Sequence, residues 1–175
     1  MHNLTAETLP DGAVLRTARP EDVPGILHCI QELAVYEKEP DAVENTSFLL
    51  TDVLFGEAPS VYAHVVERDG TIVGIAVWFR NYSTWTGTHG IYLEDLFVLP
   101  EHRGAGYGKI LLRSLATLCA ANGYRRLEWS VLDWNEPSIA FYRSVGAVPM
   151  DGWSVFRLDG DALGTFGAAT ASPPA

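Results

Sequence analysis

The sequence predicts one mixed α/β domain. Three observations carry that expectation. Two apolar, β-rich runs at residues 61–68 and 72–79 flank Asp69-Gly70, a dipeptide suited to a tight hairpin turn. Apolar residues recur at helical spacing in Val23, Ile26, Leu27, Ile30, Leu33 and Ala34, and again in Ile110, Leu111, Leu115, Leu118 and Cys119. A glycine-rich turn joins an apolar strand at residues 91–99 to the second of these helices.

The other elements follow in chain order. Residues 13–18 are short and apolar-rich and form a first strand. Pro20, Glu21 and Asp22 open a helix over residues 20–37, with proline in its first turn and two carboxylates at its positive end. Thr46 or Ser47 caps a second, short helix that Gly56 ends. Residues 81–90 read as a polar loop carrying Tyr82 and Trp85. Pro100 stops the strand at 91–99, residues 101–106 form a loop, and a helix runs over 107–122 to Gly123. Residues 127–132 are a strand. Asn135 caps a helix that ends at Gly146, and residues 155–158 are a last strand. Residues 1–12 form an N-terminal extension, 13–163 the domain, and 164–175 a small-residue tail expected to be disordered.

Composition narrows the class. The chain has 175 residues, 47% hydrophobic and 19% charged, which suits one soluble globular domain. No apolar run approaches the ~20 residues needed to span a bilayer, and the N-terminus lacks a secretory pattern. A cytoplasmic location with no membrane partner is the expectation. The formal net charge of −10 disfavours nucleic acid, whose phosphates need basic surface. It also weakly favours a cationic ligand. Cys29 and Cys119 fall within apolar helical patterns and read as buried thiols. The five histidines are scattered and no ligand spacing is present, so no metal is expected.

The loop Arg103-Gly104-Ala105-Gly106-Tyr107-Gly108 carries the chemistry. Glycines let a backbone turn tightly and approach a ligand. Successive amides at a helix start hold an anion, and Arg103 adds forked donors suited to phosphate. Together they point to a pyrophosphate. The spacing is Gly-x-Gly-x-Gly, without the Gly-x-Gly-x-x-Gly of dinucleotide folds or the Gly-Lys-Ser/Thr of P-loops.

The stretch Leu93-Glu94-Asp95-Leu96-Phe97-Val98-Leu99-Pro100-Glu101-His102, with the loop that follows it, resembles the acetyl-CoA motif of the GNAT superfamily of N-acetyltransferases. Trp134-Asn135-Glu136-Pro137-Ser138-Ile139-Ala140-Phe141-Tyr142 resembles the second coenzyme motif of that superfamily. Glu32-Leu33-Ala34-x-Tyr36-Glu37, Tyr92-Leu93-Glu94-Asp95 and Trp134-Asn135-Glu136-Pro137-Ser138 are similar to the spermidine/spermine, diamine and thialysine acetyltransferase branch. The resemblance covers roughly residues 14–160. It implies the GNAT fold: a single mixed sheet, helices on both faces and a splayed parallel strand pair, residues 91–99 and 127–132.

The resemblance also implies roles. Acetyl-CoA, as cosubstrate, wedges between the splayed strands against Leu96, Phe97 and Val98, with its pyrophosphate on Arg103, Gly104, Ala105, Gly106, Tyr107, Gly108 and Lys109. Asn135 and Ser138 add coenzyme contacts. Tyr142 protonates the departing thiolate, and Glu94 binds the amine and accepts its proton, directly or through water. Tyr36, Glu37, Trp85 and Glu94 contact the substrate. Glu94 and Asp95, adjacent in a strand, are expected on opposite faces, with Asp95 structural. Relatives in this branch form homodimers, and a homodimer is expected by resemblance.

The chain departs from the branch in its lid loop. Polyamine acetyltransferases tend to carry Tyr-Asp-Pro-Trp, where this sequence has Tyr82-Ser83-Thr84-Trp85. Losing that acid favours a shorter amine, or an amino acid with its own carboxylate, at least as well as a long polyamine. The expected reaction is acetyl transfer to a primary amine of a small cationic substrate: a diamine, a polyamine or a lysine-like amino acid. The alternatives are a protein lysine or N-terminal acetyltransferase, and a non-catalytic acyl-CoA-binding module.

Overall fold

The structure, a computed structural model, describes residues 4–168. The chain divides into two compact units, Met1–Ser130 and Val131–Ala175. In the first, six strands lie side by side in sequence order: β1 (Glu7–Thr8), β2 (Val14–Thr17), β3 (Tyr62–Arg68), β4 (Thr71–Ser83), β5 (Thr88–Val98) and β6 (Leu127–Glu128). The first four pairings are antiparallel and β5–β6 is parallel, so the sheet is mixed.

Helices α1 (Val23–Tyr36) and α3 (Tyr107–Ala121) both pack on β4 and β5, while α2 (Ser47–Phe55) packs on α1. The Phe97 ring and the Tyr36 ring at the end of α1 both lie against Arg103, at 5.3 and 5.2 Å from its guanidinium carbon. Next to Phe97, a Val98 methyl and a Leu111 methyl of α3 approach Gly74 together. Neighbouring residues of a strand face opposite sides, so α1 and α3 cover opposite faces of the sheet. Ile26 and Cys29 of α1, Leu111 and Leu115 of α3, and Val65, Ile75, Trp78, Ile91 and Leu93 of the sheet form the core.

Two buried polar groups lock these layers. Arg16 on β2 donates to both oxygens of Asp22, at 2.6 and 2.8 Å, and to Glu67 on β3 at 2.7 and 3.0 Å. Asp22 also accepts the Arg19 amide at 2.7 Å, which fixes the entry into α1. On the other face the Ser114 hydroxyl of α3 donates to the Leu111 carbonyl, so His64 of β3 donates its Nδ1–H to Ser114 Oγ at 2.7 Å.

The mixed sheet agrees with expectation, while several boundaries differ. The N-terminal extension supplies β1, which pairs with β2. The loop expected at 81–90 shrinks to four residues, because pairing continues through Asn81↔Gly90, Tyr82↔His89 and Ser83↔Thr88. A Tyr82–His89 edge-to-face contact at 5.4 Å supports that extension. The strand expected at 127–132 pairs only at Leu127 and Glu128. Residues 155–158 form no strand. The second unit contains α4 (Glu136–Ser144) and α5 (Gly160–Ala168), neither of which offers a strand edge to pair with. Helix α5 takes in residues 164–168 of the tail expected to be disordered, and residues 169–175 lie outside the described residues.

Candidate active site

The glycine loop begins after a 3-10 turn, Pro100–His102. Gly104 and Gly106 have φ of +87° and +83°, a region that side chains with a Cβ avoid. The first helical bond of α3 runs from the Ile110 amide to the Gly106 carbonyl, at 3.1 Å. The amides of Tyr107, Gly108 and Lys109 therefore precede the helical ladder. A Cβ built on Gly104, Gly106 or Gly108 would meet nothing within 4 Å, so the cradle is open on the glycine side. Ala105 and Lys109 are exposed beside it. This arrangement fits a diphosphate on a helix N-terminus. The Tyr107 ring is buried at 2% exposure, so Tyr107 offers the cradle its amide and not its phenol.

The strand before the loop has an open edge. Pairing of β5 with β6 is limited to Ile91↔Leu127 and Tyr92↔Glu128. Where the strands do meet they are close. A Cβ on Gly90 would lie 2.9 Å from the Arg126 carbonyl oxygen, and Glu128 holds Asn81 at 2.6 Å and Arg126 at 2.8 Å. Against β4, the register runs Val77↔Asp95 and then Trp78↔Leu93, leaving Glu94 as an extra residue, a β-bulge. The amides give the same result. Ile91 donates to Arg126 on the β6 side, while Leu99, an even number of residues later, donates to Val73 of β4. An unbroken strand would aim both the same way. Counting back from Leu99, Val98 and Leu96 aim their amides away from β4 toward the open edge, and the Phe97 amide faces β4.

Arg103 ties this edge to the end of α1. Its Nε donates to the Val98 carbonyl at 3.0 Å, and its guanidinium lies against the rings of Tyr36 and Phe97. Phe97 thus supports Arg103 through its ring.

Carboxylates gather on the α1 side. Asp95 and Phe97 share a face of β5, and Glu37 caps α1 beside Tyr36. Burial, then the charges of Glu94 and Glu37, push the Asp95 carboxyl up from 3.8 to about 7. Burial also raises Glu37. Glu94 is exposed and Asp95 half-buried. The simple alternation expected for the pair lapses at a bulge. Asp95, read as structural from the sequence, is the carboxyl most displaced from its ordinary titration. The signal for it was two adjacent acids in an apolar strand, of which one had to be buried.

Trp85 stands in the β4–β5 turn, 88% exposed. The intervening strand, from Thr88 to Asp95, spans about 20 Å at ~3.3 Å per residue. Within one chain the hairpin therefore carries Trp85 away from the acids. In the second unit, Asn135 is buried and its side chain caps α4 by accepting the Ser138 amide at 3.3 Å. Tyr142 lies half-buried on α4, its ring 5.3 Å from that of Phe141.

Cys29 and Cys119 are free and buried. Burial pushes the Cys29 thiol up to about 12 and raises Cys119 too, so neither supplies a thiolate at neutral pH. Among the described residues no group of three or more His, Cys, Asp or Glu could hold a metal ion, and no helix is long and apolar enough to cross a membrane.

Residues 26–147 match the Acetyltransferase (GNAT) family. The chain belongs to the GNAT family. Its similarity to curated proteins extends over nearly the whole chain. It is 35% identical over 161 residues to thialysine N-epsilon-acetyltransferase of Bos taurus, covering 86% of this chain and 94% of the relative. It is 29% identical over 210 residues to L-ornithine N5-acetyltransferase of Arabidopsis thaliana, covering 92% of each. Among solved structures, an integron cassette protein from the mobile metagenome of V. cholerae superposes with a TM-score of 0.76. That pair shares 23% identity over 89% of this chain and 97% of the other, a likeness of fold. As a GNAT enzyme the chain is an acetyl-CoA-dependent N-acetyltransferase, and acetyl-CoA is its cosubstrate. The sheet is the GNAT sheet with its diverging parallel pair, and the recognised branch is the thialysine and spermidine/spermine one.

Proposed function

We propose that this enzyme transfers the acetyl group of acetyl-CoA to the primary amine of a small cationic substrate, a diamine, a polyamine or a lysine-like amino acid. The observation that carries the reading is the carboxylate group Glu37, Glu94 and Asp95 beside the open edge of β5. Burial holds Asp95 near 7 until a cation arrives, and an ammonium group is the partner that relieves it. Two curated relatives, named for thialysine and ornithine, support an amine with its own α-carboxylate. The missing acid in Tyr82-Ser83-Thr84-Trp85 supports the same shorter substrate.

The steps follow from the residues. The amides of Gly104, Ala105, Gly106, Tyr107, Gly108 and Lys109 hold the pyrophosphate, with Arg103 alongside. The Leu96 and Val98 amides bond the pantetheine arm and the thioester oxygen, and stabilise the charge that develops there. Asp95, Glu37 and Tyr36 hold the ammonium group, and Glu94 accepts its proton. The amine nitrogen then attacks the thioester carbon, the C–S bond breaks, and Tyr142 delivers a proton to the sulfur. A phenol suits that task because it keeps its proton at neutral pH. Asn135 caps the helix that carries Tyr142, and Asn135 and Ser138 add coenzyme contacts. The active form is a homodimer by resemblance to the branch, and the exposed Trp85 serves it as a substrate-lid or dimer-contact residue.

A thiol-release assay with thialysine, lysine, ornithine, putrescine, spermidine and a lysine-containing peptide tests the reading. Turnover is expected with the free amines, amino acids foremost. Turnover with the peptide alone would favour a protein acetyltransferase. Binding of CoA without turnover on any amine would favour a binding module.

A further inference from the structure

We propose that Asp11 and Arg68 are positioning residues for the coenzyme loop, acting through the phenol of Tyr107. This rests on the reading that residues 103–108 hold the pyrophosphate.

Tyr107 is the first residue of α3 and immediately follows Gly106, so its backbone is part of the anion cradle. Its ring passes inward, and its hydroxyl donates to Asp11 Oδ2 and accepts from Arg68 Nη1 at 3.4 Å. Asp11 lies 96 residues earlier, in the β1–β2 turn. Its other oxygen accepts the Ala13 amide at 3.2 Å, which closes that turn and holds the carboxylate in place. Arg68, the last residue of β3, stands 3.7 Å from the same Asp11 oxygen. The Tyr107 bond is the main cause lowering the Asp11 carboxyl.

The loop needs such a tether. Gly104 and Gly106 have no side chains to hold their unusual dihedrals, and a Cβ built on either would meet nothing within 4 Å. One side-chain bond clamps each flank: Arg103 Nε to the Val98 carbonyl before the glycines, and the Tyr107 hydroxyl to Asp11 after them. The second fixes where the first turn of α3 begins, and so where its free amides point. Anion binding at a helix start depends on that aim.

Full-length variants are titrated with CoA by calorimetry, and steady-state kinetics separate the KM for acetyl-CoA from the amine KM. Tyr107→Phe keeps the ring and removes the bond, and Asp11→Ala removes its acceptor. Each is expected to weaken CoA about three- to tenfold and to raise the acetyl-CoA KM alike, the loss of one charge-assisted hydrogen bond. The kcat and the amine KM stay within about twofold by the same reasoning, since no acceptor-site contact changes. The double variant is no worse than the single ones, because both delete the same bond. Asp11→Asn, which keeps an acceptor, recovers part of the affinity. Asp69→Asn, the same charge change at an exposed neighbour of Arg68, leaves CoA binding as it was.

A lower melting temperature with unchanged CoA affinity and KM in Tyr107→Phe would make the contact merely structural and overturn the proposal. Should Tyr107→Phe fail to fold, Asp11→Ala decides by the same readout. Gly106→Val separates the two layers of the reading. If it still binds CoA like the wild type, the loop is not the pyrophosphate site and the tether has no such role. If it loses CoA while Tyr107→Phe and Asp11→Ala do not, only the tether fails.

Discussion

Replacing Asp95 by Asn removes a titrating carboxyl while keeping the shape of the side chain. In the folded protein this carboxyl sits near 7, raised from 3.8 by burial and by the charges of Glu94 and Glu37. Below pH 3.8 both the folded and the unfolded chain carry the proton, and the residue has no pH-linked effect. Between 3.8 and about 7 the unfolded chain loses the proton and the folded chain keeps it, so stability falls as pH rises. Above about 7 both forms are ionised and the penalty is constant. At about 1.4 kcal/mol per pH unit, that interval amounts to a penalty of about 4 kcal/mol at pH 8.

Asn carries no such penalty. The stability gap between Asp95→Asn and the wild type should widen in favour of Asn from pH 4 to about 7 and then level off. Urea unfolding at half-unit pH steps from 4 to 8.5, with m-values checked for constancy, reads this directly. The same substitution should raise the amine KM at pH 8, where the wild-type carboxylate is ionised and can hold an ammonium group. It should also flatten the rise in amine KM expected for the wild type as pH drops below 7. A gap that stays constant across the range would show that Asp95 is not held protonated by burial. The reading of the carboxylate group as a cation site would then lose its support.

Other substitutions test separate parts of the structure. Tyr142→Phe should lower kcat at least about a hundredfold, the usual worth of a positioned general acid, while CoA affinity by calorimetry stays within about twofold. Asp22→Ala should destabilise the fold by about 1.5–3 kcal/mol in urea titration, because the buried Arg16 guanidinium loses its two bonds to Asp22 and keeps Glu67 alone. Gly90→Ala should cost about 1–3 kcal/mol in the same assay, since its methyl would press on Asn81 and on the Arg126 carbonyl across the β5–β6 seam.

Local chemistry made part of this legible from the sequence. Gly104 and Gly106 adopt the positive φ that their identity permits, and the helix begins at Tyr107 as the periodicity of Ile110, Leu111 and Leu115 requires. The hairpin at Asp69-Gly70 turns where that dipeptide says, with φ of +51° and +78°. Features set by a distant partner were not legible. Residues 81–83 are polar and read as loop, yet they extend β4 because residues 88–90 lie opposite them. Glu7 and Thr8 carry no strand pattern and pair only because β2 is beside them. Residues 155–158 have the pattern but no partner strand in their unit. Asp11 offers no hint in sequence of a bond to a residue 96 positions away.

The bulge at Glu94 accounts for both halves of the candidate site. Before it, Leu93 lies opposite Trp78, whose ring is 6.0 Å from that of His64, and His64 bonds α3. Leu93 therefore faces α3. In an unbroken strand Asp95, two residues on, would face α3 as well, in an apolar layer where no ammonium group could reach it. The extra residue reverses the alternation. It turns Asp95 and Phe97 to the α1 side, where Glu37 and Tyr36 stand, and it turns the amides of Leu96 and Val98 outward to the open edge. Deleting Glu94 would close the strand over the bulge, with Asp95 directly after Leu93 and still opposite Val77. The Leu96 and Val98 amides would stay at the open edge and Asp95 would stay on the α1 side. The deletion, like Glu94→Gln, would therefore remove the candidate base and one of the charges that raise Asp95, while leaving the thioester-facing donors and the other acids in place.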